Sequence, residues 1–275
     1  QLNALGYVGE GAPAGFDEIE DLHELRPPDP VARIDDMLGY AMAWGKIKSR
    51  QFGEAFAQTS ALFERNPESM PILRALLSSI RGDDQAERSI PYLERAIELD
   101  AEDPNHRVSY GEMLIEVGRV EPGIASLRTA LELDACHIPA RIVLANLFNA
   151  HGRYREQRDL LAEGIAACND EVNLRNDLAY LLATAPDETV RDGGRALSLA
   201  RDVVRDAEFE RPDFLDTLAC AYAEVGNFRR AVKQSDRAIE LLASRETPEE
   251  MLAPYLAHLE LFKQGKPVRA GDAGS

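Results

Sequence analysis

Residues 110–134 read YGEMLIEVGRVEPGIASLRTALELD, and residues 144–167 read LANLFNAHGRYREQRDLLAEGIAA. The two stretches lie 34 residues apart and follow one plan. Each has a small residue at its second place (Gly111, Ala145), a glycine at its ninth (Gly118, Gly152) and a small residue at its twenty-first (Ala130, Gly164). Residues 218–241, LACAYAEVGNFRRAVKQSDRAIEL, follow the same plan with Ala219, Gly226 and Ala238. Apolar residues recur at three- and four-residue spacing on both sides of the glycine, which predicts two amphipathic helices joined by a tight turn.

The pattern extends outward. Blocks beginning at Asp36, Met70, Pro104, Ile138 and Val172 are 34 residues apart, and a sixth begins at Pro212 after a fifth that is six residues longer. Ala43, Gly111, Ala145, Ala179 and Ala219 share one small position; Ala55, Ser89, Gly123, Ala196 and Ala231 share another. Departures occur at Lys46, where a large apolar residue is usual, at Leu77 and Gln157 in small positions, and at Asp84 in place of the turn glycine. The plan resembles the tetratricopeptide repeat, a helix–turn–helix unit whose small positions let neighbouring helices approach closely. The resemblance implies an all-α chain, a right-handed α-solenoid of about six such units with a C-terminal capping helix. The expected organisation is a linker or end of a preceding domain (1–35), the array (36–69, 70–103, 104–137, 138–171, 172–211 and 212–245), a capping helix (246–266) and a disordered tail (267–275).

Composition narrows the function. Of 275 residues, 45% are hydrophobic but only 7% aromatic, which suits alanine- and leucine-rich helices. The net charge of −17 repels phosphate backbones and argues against nucleic-acid partners. No stretch approaches the roughly 18 apolar residues of a membrane span, so no membrane insertion is expected. The chain opens on Gln1 with no secretion signal, which reads as a fragment or a processed product.

Cys136 and Cys168 fall in the turns closing blocks three and four, and Cys220 inside a first helix. If the first two are separated by one repeat, about 10 Å from helix spacing, a disulfide is out of reach, and three free thiols are expected. His23, His106, His137, His151 and His258 form no pair at metal-ligand spacing, so neither a metal nor another cofactor is expected. The string CHIPAR (136–141) faintly suggests the sulfatase Cys/Ser-x-Pro-x-Arg motif, but two residues separate Cys136 from Pro139 and the repeat register already accounts for Pro139 as a helix-start residue. With no phosphate loop and no nucleophile elbow either, no catalytic residue is assigned and the chain reads as a non-enzyme.

The expected binding surface is the groove lined by the first helices. Its candidate residues are Tyr40, Trp44, Lys48, Arg74, Arg81, Asn146, Asn149, Asn173, Asn176 and Tyr180. Asparagine amides can pair with both the N–H and C=O of an extended backbone, so the Asn-rich middle points to a protein or peptide ligand. For Trp44, packing beneath the N-terminal segment or a preceding domain is the competing expectation. Two further places stand outside the repeat. PDETVRDGG (186–194) should project as a loop, and Thr247 with Glu250 forms a capping box opening a last helix whose apolar face carries Leu252, Tyr255, Leu256, Leu259 and Phe262.

The N-terminal segment carries a second resemblance. Leu2, Leu5, Gly6, Tyr7 and Val8, followed by Pro28, Asp29 and Pro30, resemble the junction at which some bacterial sulfatase-like hydrolases pass into tetratricopeptide repeats. It implies an accessory array that positions or oligomerises an attached hydrolase, its own N-terminal catalytic domain being then a partner, in an exported parent. The primary expectation is a non-catalytic protein-interaction scaffold.

Overall fold

The computed structural model describes residues 30–80, 85–168, 171–207, 211–245 and 247–270, with side chains from Ile34 onward. The N-terminal junction segment (1–29) and Arg81 lie outside the described residues. All regular structure among the described residues is helical: thirteen helices and no strand, an all-α solenoid. The chain forms two compact units, Gln1–Thr129 and Ala130–Ser275.

The first unit holds α1 (Pro30–Lys48), α2 (Phe52–Arg65), α3 (Met70–Ser79), α4 (Gln85–Leu99), α5 (Pro104–Glu116) and most of α6 (Val120–Leu133). The second holds α7 (Ile138–Ala150), α8 (Tyr154–Ala167), α9 (Val172–Thr184), α10 (Gly193–Asp206), α11 (Pro212–Glu224), α12 (Phe228–Ser244) and α13 (Glu249–Lys263). Helix starts follow local chemistry. Prolines occupy the first turn of α3, α5, α7 and α11, where no intrahelical N–H bond is lost. Ser69, Asp103, His137 and Glu171 accept backbone N–H groups at the starts of α3, α5, α7 and α9. α1 begins at Pro30, six residues ahead of the first repeat block, because a proline that cannot continue a helix is well suited to opening one.

Between the helices of a pair, Gly118, Gly152 and Gly226 adopt positive φ (81°, 68° and 76°), the left-handed conformation that glycine enters without a Cβ clash. At the small positions, a Cβ on Gly111 would lie 2.8 Å from Leu127 Cγ, and one on Gly123 would lie 2.8 Å from the Gly111 carbonyl oxygen. Only glycine allows α5 and α6 to cross this closely. The cores are mainly leucine and alanine, among them Leu73, Leu76 and Leu114 in the first unit and Leu144, Leu178 and Leu215 in the second.

Four expectations are corrected. Cys136 and Cys168 form a disulfide with Cα atoms 5.1 Å apart. They do not sit in corresponding places of stacked repeats: one enters α7 and the other leaves α8, and an antiparallel hairpin returns its exit to its entrance. Only Cys220 remains a free thiol, and it is buried. The Thr247–Glu250 capping box does not form; α13 starts at Glu249 after Pro248, with no side-chain cap. Leu256 is exposed on α13, and His258 takes a buried place beside Leu259 and Phe262. Residues 267–270 are not loose: Val268 is buried, the Ala270 N–H donates to the Thr184 carbonyl at 2.8 Å, and Arg269 pairs with Glu224 at 2.7 Å.

The string CHIPAR is consumed by structure. Cys136 is bridged, the His137 imidazole caps α7 through Nδ1, and Pro139 sits in its first turn. The buried Arg141 guanidinium donates to the carbonyls of Leu160 (2.7 Å) and Ala135 (2.6 Å), lying over Gly164, where a larger residue would collide with it. The loop at 186–192 is likewise fastened. Val190 is buried, Arg155 of α8 reaches Thr189 and Asp187, and Arg191 bonds to the Ala185 and Pro186 carbonyls and pairs with Glu224.

Candidate functional site

The residues proposed as ligand contacts fall into different settings. In the first unit, Tyr40 is buried in a cluster with Leu62 of α2 and Ile72 and Ala75 of α3, and its ring meets Trp44 edge-on at 6.4 Å. Trp44 packs against the same cluster and is half-buried, its indole Nε1 having no hydrogen-bond partner among the described residues. The Tyr40 ring thus serves the packing of α1 on α2 and α3. Lys48 and Arg74 are exposed.

In the second unit, Asn146 and Asn149 are exposed on α7. The richest surface is on α9. Asn173, Asn176, Asp177 and Tyr180 follow i, i+3, i+4, i+7 spacing, so one face of the helix carries all four. Asn173 donates to Glu171 at 2.7 Å and accepts from Arg211 at 3.3 Å. Arg211 also pairs with Asp213 and stacks on the Phe214 ring, its guanidinium carbon 4.0 Å from the centroid. Asn176 is buried, and its carbonyl oxygen has no partner among the described residues. Asp177 keeps solvent contact, yet crowding by protein, opposed by a hydrogen bond from Asn176 and reinforced by Asp213, lifts its carboxyl to about 6. The Tyr180 phenol is also pushed up, chiefly by burial, with help from Cys220 and Asp216.

Helix α11 packs on both α9 and α13. Asp216 and Cys220, four residues apart on α11, lie beneath α13 rather than facing a ligand. Asp216 Oδ2 is 2.8 Å from His258 Nδ1, and Cys220 is 1% exposed. Burial, then the Asp216 charge, raises the Cys220 thiol well above its ordinary value, so it is no ready nucleophile in this state. Tyr255 of α13 is raised to about 12, mainly by burial and then by Asp216 and Asp213. His258 carries no local signal in the sequence, since nothing at metal-ligand or hydrogen-bonding spacing on its own helix pairs with it. Its partner is 42 residues away.

Comparison with solved structures agrees on architecture. The C-terminal part of a TPR repeat-containing protein from Cytophaga hutchinsonii aligns with a TM-score of 0.63 at 14% identity, covering 81% of this chain and 85% of that one. The fold is that of the tetratricopeptide repeat. MamA (residue 41 to the end) from Desulfovibrio magneticus RS-1 aligns with a TM-score of 0.51 at 15% identity, covering 64% of this chain and 96% of its own. YrrB, described as a TPR protein with an unusual peptide-binding site, aligns with a TM-score of 0.50 at 19% identity, covering 66% and 91%. No family model and no curated protein matches the chain. Among the described residues, no helix is long and apolar enough to cross a membrane.

Proposed function

We propose that this chain is a non-catalytic protein-interaction scaffold that receives a protein or an extended peptide on its first-helix faces. The observation that carries the reading is the α9 face, where amide, carboxylate and phenol groups line up on a helix packed between α10 and α11. Asn173, bonded to Glu171 and Arg211 in the free chain, can exchange those partners for the backbone of an extended segment, and Asp177 with Asp213 favours one carrying Lys or Arg. Asn146 and Asn149, exposed on α7 of the same unit, are further contacts of the proposal. The peptide-binding site named for YrrB is consistent with this use of the fold.

The test is fluorescence anisotropy with labelled unstructured peptides, basic and acidic, added to the intact chain. Basic peptides should bind, and the pair Asn173→Ala with Asp177→Asn should weaken them at least tenfold. Binding should also fall as pH drops through about 6, where Asp177 gains its proton, and Asp177→Asn should remove that dependence. Peptide binding that ignores these substitutions would place the site elsewhere.

A second reading, an accessory array attached to an exported sulfatase-like hydrolase, gains from the Cys136–Cys168 disulfide, since such bonds persist in oxidising compartments. Its test is whether a longer gene product carries such a hydrolase ahead of the array and whether the two, expressed separately, co-purify. Independent behaviour of the two in solution counts against it.

A further inference from the structure

α11 and α13 bring together three side chains of different donor chemistry. The carboxylate of Asp216, the thiol of Cys220 and the imidazole of His258 each place a donor atom so that all three lie within 4.8 Å of one another. The residues are 8%, 1% and 5% exposed. Within this group Asp216 is only half satisfied: Oδ2 meets His258 Nδ1, while Oδ1 is buried with no partner among the described residues. A buried carboxylate oxygen left bare is costly, and an oxygen, a sulfur and a nitrogen around one point are the mixture that zinc accepts.

We propose that Asp216, Cys220 and His258 bind a zinc-class divalent cation that fastens α13 onto α11. Binding would form one bond each to sulfur, oxygen and nitrogen and release the Cys220 proton to solvent. Thiolate and carboxylate then balance the two positive charges, the imidazole is neutral, and no atom changes oxidation state. The Asp216–His258 hydrogen bond, which Nδ1–H donates, is exchanged for metal bonds, and the imidazole proton moves from Nδ1 to Nε2. With metal–ligand distances of about 2.1 Å, tetrahedral geometry sets the nitrogen–oxygen separation at about 3.4 Å, so the pair at 2.8 Å has only to open by about 0.6 Å. Water takes the fourth position. The site does not rest on the peptide-binding reading, although Tyr180 of the α9 face lies close enough to Cys220 and Asp216 to feel both.

The experiment uses the whole chain with its disulfide intact, stripped of metal by a chelator and titrated anaerobically with CoCl2. Because the site is buried, the titration is run both on native protein and on protein refolded in the presence of the ion. One equivalent of Co2+ should bind with a thiolate-to-cobalt charge-transfer band, ZnCl2 should displace it, and the zinc form should melt at a higher temperature. Cys220→Ser should abolish the band while circular dichroism shows the helices retained, and Asp216→Asn should weaken cobalt binding at least tenfold. Cys136→Ser with Cys168→Ser should leave the band in place. Absence of the band from folded wild-type chain in both titrations overturns the proposal, as does a band that survives Cys220→Ser.

Discussion

Arg50 occupies the turn position that glycine holds in the later repeats, and it adopts the same left-handed conformation, with φ of 58°. For a residue with a Cβ that conformation costs roughly 1–2 kcal/mol, part of which is recovered because Arg loses less backbone freedom than Gly on folding. Arg50→Gly should therefore stabilise the first unit by about 1 kcal/mol, read as a raised midpoint in urea with an unchanged slope. Asp177 carries the opposite kind of local cost. Its carboxyl titrates near 6 in the folded chain against 3.8 for the ordinary group. A raised acid favours the folded state while protonated, so this contribution is complete below about pH 4 and gone above about pH 6. Asp177→Asn should stabilise at pH 7 by about 1 kcal/mol or less, because the side chain keeps solvent contact, and the gain should vanish near pH 4. Denaturation midpoints at the two pH values decide it; a gain that is the same at both would mean that titration of Asp177 is not its source.

At the scale of elements, the hairpin of α7 and α8 is the unit whose chemistry departs most from the sequence reading. Its closing disulfide spans 32 residues. Loop-closure entropy for a ring of that size is worth about 3–4 kcal/mol. Thiol titration of the unfolded, unreduced chain should find one free thiol, and three after reduction. Replacing Cys136 and Cys168 with Ser should lower stability by about 3 kcal/mol. Finding three thiols before reduction in protein made under oxidising conditions would remove the bridge. The repeat pattern was readable here because a helix pair is specified by near neighbours: apolar spacing, a cap, a turn glycine. The bridge was not, because the relevant distance depends on where the hairpin returns: Cys136 and Cys168 are the two ends of one hairpin, not equivalent places in stacked repeats. The α9 face lies between these cases. Asn173, Asn176 and Tyr180 share a face by spacing alone, whereas Asp177 is lifted first by burial among the packed helices and then by the charge of Asp213 on α11.

For the molecule as a whole, each unit has its own core. In the second unit, the C-terminal end of the chain completes it. Phe262 is 1% exposed, Val268 is 1% exposed, and Glu224 takes both Arg191 of the 186–192 loop and Arg269 near the terminus. Phe262→Ala should cost about 3–5 kcal/mol and should loosen α13, exposing Cys220 to alkylation by a thiol reagent that the wild-type chain resists. Protection of Cys220 in that variant would show that α13 does not depend on Phe262. By itself the sequence determined the helix–turn–helix period, the turn glycines, the small positions and the starts of α3, α5, α7, α9 and α11, because each depends on residues within a few turns of one another. Tertiary structure alone decided the Cys136–Cys168 bridge, the burial of Asp216 and Cys220 beneath His258, and the seating of residues 268–270 against Thr184 and Glu224. Those contacts join groups 32 to 86 residues apart, and their existence depends on how successive helix pairs stack, which no local pattern encodes.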